Sequence, residues 1–461
     1  MVRRGRAVKD RLPVFRTRTA LWPVGLAVAL RLAAWIVVPE SRFASDEDGY
    51  FQAGSALAAT GLQDLFWPPL TGWLIAFVKW PYPEASVKAI RLLWIALDIG
   101  CLLAVRALAG RIAHAVLGGV PERAARYTTL ATVGYAIYLP AISHAQFATS
   151  ETPALLQVLL VLVLLTRPAA GTAAFATAGA LTGTLILTRP SLLPLLVLLP
   201  AATFPGLRWT VALWSRLVFV LVGATVVGAV MTGNWIRAGE FTVSRNAAYN
   251  LYIGNREVYA EDLNLFRPRA TLDQIEFRRQ FFSGELAYPA LSPQELQREA
   301  LAWISAHPDV FAQRAIGRLA RVFAPKTDVL ELAGGERAAG IFSPVSLALL
   351  LTANLQWAVV LFAGVIGLAS LLHLNRDLGL VFLSTIVGSV GLCLVAIAKP
   401  RYSFVFDPIL ILGATLLVIA PHEARAVLRR RTRWLLAAVC GFLLWGWTAW
   451  LIFALSSRMH Q

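Results

Sequence analysis

This sequence is short of charge. Only 15% of its 461 residues are Asp, Glu, Lys or Arg, where a soluble globular chain carries about 25%. Acidic residues are the scarcer sign, 26 against 42 basic. Cysteine is nearly absent. Cys101, Cys393 and Cys440 each sit in an apolar run, which excludes a disulfide framework or a paired-cysteine metal site and leaves small buried hydrophobes. No even-numbered inverted repeat, the common mark of secondary transporters, is visible. A formal charge of +16 invites a nucleic-acid reading. The basic residues gather instead at span ends and in short loops, the positive-inside pattern, so nucleic acid is excluded as a partner. What is present is apolar: 57% of the chain is hydrophobic, with a mean hydropathy of +0.64. The expectation is an all-α, polytopic membrane protein of about 11 transmembrane helices.

The order of spans follows from hydropathy and arginine. Residues 1–19 are strongly basic, with Arg3, Arg4, Arg6, Lys9, Arg11, Arg16 and Arg18, and read as the cytoplasmic start of an uncleaved signal anchor. Spans one to seven occupy 20–233. Within them an outer loop at 39–86 follows the first span, Ala20 to Val38. Arg31 lies inside that span and should face the bundle interior or snorkel. The piece from Thr71 to Trp80 is about half the roughly 20 residues a crossing needs. It reads as interfacial helix, with Trp67, Trp73 and Trp80 in the headgroup layer. Residues 234–340 form a partly helical outer region with 13 acidic and 13 basic residues, against 13 and 29 in the rest of the chain. Within it Arg314, Arg318 and Arg321 share a helix face suited to headgroups, phosphate or solvent. Spans eight to eleven occupy 341–461, and the densest basic block, Arg425 to Arg433, is expected inside.

With so little charge to place, polar clusters at span ends are where chemistry can sit. The first is Asp46-Glu47-Asp48-Gly49-Tyr50, directly after span one. Three adjacent carboxylates are costly in hydrocarbon and tolerated at its edge. Their functional reading is a general base or a site for a divalent cation (Mg or Mn), and the plain one is a solvated boundary. Ser150-Glu151-Thr152-Pro153 opens span four, and serine as cap with glutamate in the first turn explains much of it. Glu151 could equally face the first-loop acids. Arg189, Lys399 and Arg401 stand at outer span ends, where they could hold a phosphate or serve as interfacial anchors. Arg245, Tyr249 and Tyr402 are candidates to line the same cavity.

In this order the pieces resemble the C-type (GT-C) membrane glycosyltransferase superfamily, specifically its dolichyl-phosphate-mannose protein mannosyltransferase and aminoarabinose-transferase-like branch. The resemblance rests on Asp46 to Tyr50 after span one, Pro68-Pro69-Leu70 beyond it, Ser150-Glu151, Thr188-Arg189-Pro190, Asn250-Leu251-Tyr252-Ile253-Gly254-Asn255, and Arg401-Tyr402. It implies a GT-C-like bundle and transfer of a sugar from a polyprenyl-phosphate-linked donor to an acceptor glycan, lipid or protein at the outer face of the cytoplasmic membrane. It also implies a first-loop acid as base or metal contact, a role that falls to Asp46 with Glu47 or Asp48 as partner. The chain is expected to lack the soluble C-terminal domain that several relatives carry, which would leave acceptor recognition to the outer loops. The competing expectation is a flippase or transporter of a lipid-linked sugar. That activity would need polar sites deeper in the membrane, where Arg31 and Asp98 are the obvious candidates. A polymerase or ligase of lipid-linked glycans is closer in chemistry.

Overall fold

The computed structural model describes residues 21–40, 46–118, 120–167, 170–203, 209–255, 292–333, 343–422 and 430–458. The basic segment 1–19, Ser45 and the block Arg425 to Arg429 lie outside the described residues. All regular structure among those described is helical. In chain order the helices are α1 (Trp22–Val37), α2 (Asp46–Thr60), α3 (Pro69–Lys79), α4 (Val87–Val116), α5 (Pro121–Ala136), α6 (Leu139–His144), α7 (Glu151–Leu165), α8 (Thr172–Thr188), α9 (Leu195–Ala202), α10 (Trp209–Ala238), α11 (Asn246–Gly254), α12 (Pro293–Ala306), α13 (Pro308–Val322), α14 (Pro344–Leu374), α15 (Arg376–Gly391), α16 (Asp407–Ile419) and α17 (Arg430–Arg458).

The protein is an all-α, multi-pass membrane fold. Among the described residues four stretches are long and apolar enough to cross a bilayer: Val87–Val116, Leu213–Ala238, Pro344–Leu374 and Arg376–Leu394. Other apolar helices are shorter. α7, with 15 residues, spans about 22 Å at 1.5 Å per residue, less than the roughly 30 Å hydrocarbon layer. Proline is the reason in several places. It starts α6 at Pro140, the 3-10 turn Pro190–Leu192, the 3-10 turn Pro400–Val405, and α16 at Pro408. The apolar runs read as continuous spans over 127–142 and 378–398 are therefore broken. α5 stops at Ala136 before α6 begins, and α15 gives way to a 3-10 turn at Leu392–Leu394. These interruptions leave non-helical backbone inside the protein, which is tolerated where it is buried or lines a cavity.

Small residues bring the long helices together. Gly179 and Gly183 on α8 face Phe219 and Gly223 on α10 so closely that a Cβ at either would collide with backbone oxygen. Gly364 and Gly367 on α14 meet Leu410 and Gly413 on α16 in the same way. The loop after α1, expected at 39–86, is helical over much of its described length. α3 is the short apolar helix expected there, and α2, which carries the acidic triplet, lies against it with Gly54 under Ile75.

Arg31 and Asp98 pair with each other. Arg31 Nε lies 2.7 Å from Asp98 Oδ2, and both side chains are fully buried. Tyr135 donates its hydroxyl to Asp98 Oδ1 at 2.6 Å, and Arg31 also donates to the Ala136 carbonyl. Thus α1, α4 and α5 are tied at one buried ionic knot whose groups satisfy one another.

Candidate active site

The three first-loop carboxylates begin α2, where a helix favours negative charge. At 100° per residue they cannot point the same way, and each finds a different partner. Glu47 turns inward. It accepts from Arg91 of α4 at 3.1 and 2.9 Å and from the Ala148 N–H at 2.8 Å, with 2% of its surface exposed. That is a bidentate, buried pair that clamps α2 to α4 and to the turn before α7. Asp48 accepts from Gln52 Nε2, one turn along the same helix, at 2.6 Å. Asp46 reaches across the protein to pair with Arg401.

Arg401 is the centre of the site. It sits in the 3-10 turn Pro400–Val405, between Asp46 and Glu151, with its Nε 3.2 Å from Glu151 Oε1. The same Glu151 oxygen lies 3.2 Å from Arg189 Nη1, and the Arg189 guanidinium stacks 4.6 Å over the Tyr402 ring. Four segments far apart in sequence thus build one chain of alternating charge: Asp46, Arg401, Glu151, Arg189. Burial opposes the charge on Arg401, yet Asp46 and Glu151 more than offset it and hold the guanidinium as a cation. Tyr50, one turn after Asp46, is buried and packs on Trp67 with ring centroids 4.7 Å apart. Burial, then the Asp46 charge, push its phenol well above the usual range.

Ser150 departs from its expected role. Its backbone is helical, at φ −73 and ψ −12, and its side chain makes no cap hydrogen bond. Glu151 as the first residue of α7 is placed as expected, against the positive helix end and two guanidinium groups. The network retains unused capacity. Arg189 Nη1 and Arg401 Nε are buried, attracted to Glu151 by charge, and make no well-aligned hydrogen bond. Buried donors without acceptors are uncommon, and here two of them flank one carboxylate.

Other candidates lie at varying distance from this centre. Lys399, half-buried, caps the 3-10 turn that carries Arg401 and makes no ion pair among the described residues. Tyr249 packs with Ile253, Ile397 and Tyr402, and its ring lies 5.9 Å from Phe66. Arg245 is not drawn into the charged chain. Its side chain is half exposed and binds Glu240 at 2.9 Å, while its backbone N–H donates to Leu65 O at 2.8 Å, clipping the first loop. The basic face of α13 also divides. Arg318 is buried and donates to the Leu394, Val395 and Gly254 carbonyls at broken helix ends, so it is not available to headgroups or solvent. Arg314 lies 4.6 Å over Trp303.

Several polar residues at this centre have no motif to announce them. Lys326 is buried and lies 2.9 Å from Asp407 Oδ2, with Ser403 and, at 3.4 Å, Pro400 O as further acceptors. Tyr138 donates to the same Asp407 oxygen at 2.9 Å. His144 packs at a tilt against Phe404, with ring centroids 4.3 Å apart. Burial lowers its pKa, and the charges of Glu151 and Asp328 oppose that shift. Asp328 begins the 3-10 turn Asp328–Ala333. One signal was available: Asp407-Pro408 opens an apolar run as Glu151-Thr152-Pro153 does. The isolated Lys326 carries no such mark.

A divalent cation at the first-loop acids does not fit these residues. Asp46, Glu47 and Asp48 diverge to Arg401, Arg91 and Gln52. Among the described residues no three His, Cys, Asp or Glu side chains converge to hold a metal.

No family model matches the chain, and no curated protein matches it. Among solved structures it is similar to the Archaeoglobus fulgidus oligosaccharyltransferase in complex with Zn and sulfate, at 12% identity and a TM-score of 0.45, over 94% of this chain and 53% of that one. It is similar also to archaeal oligosaccharyltransferase AglB from Archaeoglobus fulgidus with an inhibitory peptide and a dolichol-phosphate, at 12% identity and a TM-score of 0.42, over 95% and 56%. A third likeness is to ArnT from Cupriavidus metallidurans bound to undecaprenyl phosphate, at 18% identity and a TM-score of 0.38, over 88% and 78%. The chain thus spans about half the length of the two archaeal proteins.

Proposed function

We propose that this protein is a membrane glycosyltransferase. It moves a sugar from a polyprenyl-phosphate-linked donor to an acceptor hydroxyl on a cell-envelope glycan or lipid, at the outer face of the cytoplasmic membrane. The observation that carries the reading is the charged chain Asp46–Arg401–Glu151–Arg189, assembled where short helices end and left with spare buried donors. Displacing a sugar from a lipid phosphate leaves a phosphate dianion in growth. Cations that stabilise that charge in a water-poor setting are worth several kcal/mol in such reactions. Arg401 and Arg189 have the buried N–H groups for it, and Lys399 adds a cation that pairs with no carboxylate among the described residues. Asp46 and Glu151 hold the arginines apart and preorganised until the phosphate arrives. The lipid tail lies between spans with the bilayer as its solvent, so the donor is drawn from the membrane lipids around the protein.

The transfer is a single displacement with inversion, since one face of the sugar meets the phosphate-binding cations and the other the acceptor. The flippase alternative calls for polar groups deep in the membrane that engage cargo. The deep pair Arg31–Asp98 is closed on itself and on Tyr135, which weighs against it. The test uses purified protein in lipid with a panel of polyprenyl-phosphate-linked hexoses and pentoses, following release of free polyprenyl phosphate. Release that is lost in Arg401→Ala and Asp46→Asn supports the reading. No release from any donor, together with movement of a lipid-linked sugar across the bilayer, overturns it in favour of a flippase.

A further inference from the structure

The 3-10 turn Pro400–Val405 has to hold Arg401 between two carboxylates, and on its own it is a weak frame. A 3-10 helix makes poorly aligned hydrogen bonds and is uncommon beyond three or four residues, whereas this one has six. Pro400 brings no backbone N–H to it. Lys326 supports the turn from outside. Its buried ammonium donates to Pro400 O at 3.4 Å, to Ser403 Oγ and to Asp407 Oδ2 at 2.9 Å. An ammonium has three N–H groups, so all are spent. Two of them go to the turn itself, at the residue before Arg401 and at the second residue after it. Ser403 Oγ also donates to Pro400 O, at 3.0 Å, which closes the bracket around Arg401.

Lys326 is itself pinned. Asn354 of α14 accepts from its N–H at 2.7 Å and donates to its carbonyl at 3.2 Å. The Trp357 ring, farther along α14, lies 4.2 Å from the ammonium. Tyr138, just before α6, holds Asp407 Oδ2 at 2.9 Å. The frame therefore joins α14, the start of α16 and the entry to α6 to the turn that carries Arg401. As a stabilising contact it is imperfect, because Asp407 Oδ1 is buried without a hydrogen bond among the described residues. Apolar replacement of a buried ion pair is often neutral or stabilising. What an apolar pair cannot supply is a donor for the Pro400 carbonyl and the Ser403 hydroxyl.

We infer that Lys326 is a positioning residue: its ammonium fixes the turn on both sides of Arg401 and so sets where that guanidinium stands in the site. The inference rests on the transferase reading and on the role given there to Arg401. With every N–H spent on the protein, Lys326 has none for a substrate and acts through Arg401. A displacement of about 1 Å in a positioned group can cost a hundredfold in rate, which is the scale at stake.

The test is a cycle of variants in lipid, using a polyprenyl-phosphate-linked sugar that the wild type turns over. Lys326→Met with Asp407→Asn removes both charges and leaves Tyr138 an acceptor. Its melting temperature should stay close to that of wild type, while transfer falls by about ten- to a hundredfold. The same pair of replacements is then made in Arg401→Ala, with residual transfer measured at high enzyme concentration. There it should change transfer by less than about threefold, because the residue it positions is gone. Ser403→Ala leaves the ion pair intact and runs through the same cycle. It should lower transfer in the wild-type background and not in Arg401→Ala, and it decides the matter if the double replacement does not fold. Equal losses with and without Arg401 overturn the inference, since a merely structural residue would lower both alike. So does transfer within about threefold of wild type in the folded charge-free variant. A wild type that releases no polyprenyl phosphate fails the transferase reading itself, whereas an active wild type with additive losses fails only this one.

Discussion

Two ionic clusters in this molecule use the same residue types to different ends. In the first, Arg31 and Asp98 lie deep among α1, α4 and α5, fully buried. Both Asp98 oxygens are occupied, by Arg31 and by Tyr135, and Arg31 also donates to main-chain carbonyls. In the second, Arg401 and Arg189 share Glu151 and reach Asp46, with Arg401 retaining 13% of its side-chain surface and Asp46 27%. Here buried N–H groups are left without hydrogen bonds. A closed pair in low dielectric holds helices together and has nothing to offer a ligand. A network with surplus donors is less stable than it could be, and the surplus is what an incoming phosphate would take up. The difference teaches that burial and charge alone do not mark a site. What marks it is hydrogen-bonding capacity the protein does not use itself.

The comparison can be broken most forcefully at its closed member. Arg31→Met strands Asp98, and removing one partner of a buried pair costs about 3–5 kcal/mol. A large drop in the melting temperature of the detergent-purified protein is expected. Arg31→Met with Asp98→Leu should recover most of it, since an apolar replacement of both charges is often neutral. The open cluster should behave in the opposite sense. Arg401→Ala is expected to cut transfer by about 10²–10³, the scale of a lost oxyanion donor, with a far smaller change in melting temperature. If Arg401→Ala unfolds the protein as Arg31→Met does, the distinction between the clusters is lost.

A smaller effect is expected of Arg189→Lys. It keeps the charge while losing the flat stacking on Tyr402 and the forked donors, and should raise the KM for donor more than it lowers kcat. pH gives a gentler probe. His144 is held neutral by burial, below its ordinary value of 6.5. Because the unfolded chain binds that proton first, this contribution to stability is present above about pH 6.5 and is lost as pH falls below it. His144→Phe, which keeps the packing on Phe404, should flatten the fall in melting temperature between about pH 7 and pH 5. A fall as steep as that of wild type would assign the acid sensitivity to other groups. Smallest of all is the expected effect of a chelator. With the first-loop acids diverging to Arg401, Arg91 and Gln52, transfer with and without EDTA should agree. A large loss on chelation would require those side chains to regroup around a cation.

Much of the helical content was legible in the sequence, because apolar runs and arginine-rich ends follow from the solvent and need no partner. So were several corners of the candidate site. Asp46, Glu151, Arg189 and Arg401 each stand out as charges placed where apolar runs begin or end, in a chain with few charges to spare. Their connections were not legible. Glu47 and Asp46 are neighbours with the same chemistry, and only the 100° turn of α2 sends one to Arg91 and the other to Arg401. Ser150 looked like a helix cap, yet its backbone is helical and its side chain makes no cap hydrogen bond. Arg318 looked like one of three equivalent surface arginines. It is buried because broken helix ends at Gly254 and Leu394 present carbonyls that need donors.

By itself the sequence determined the solvent, the helical class and the level in the membrane at which charge could be tolerated. These depend on the transfer free energy of each residue, which is a property of the residue and its near neighbours. Tertiary structure alone decided which charges close on each other and which remain open. That depends on distances between residues hundreds of positions apart, set by where prolines interrupt the spans and where glycines let the helices cross.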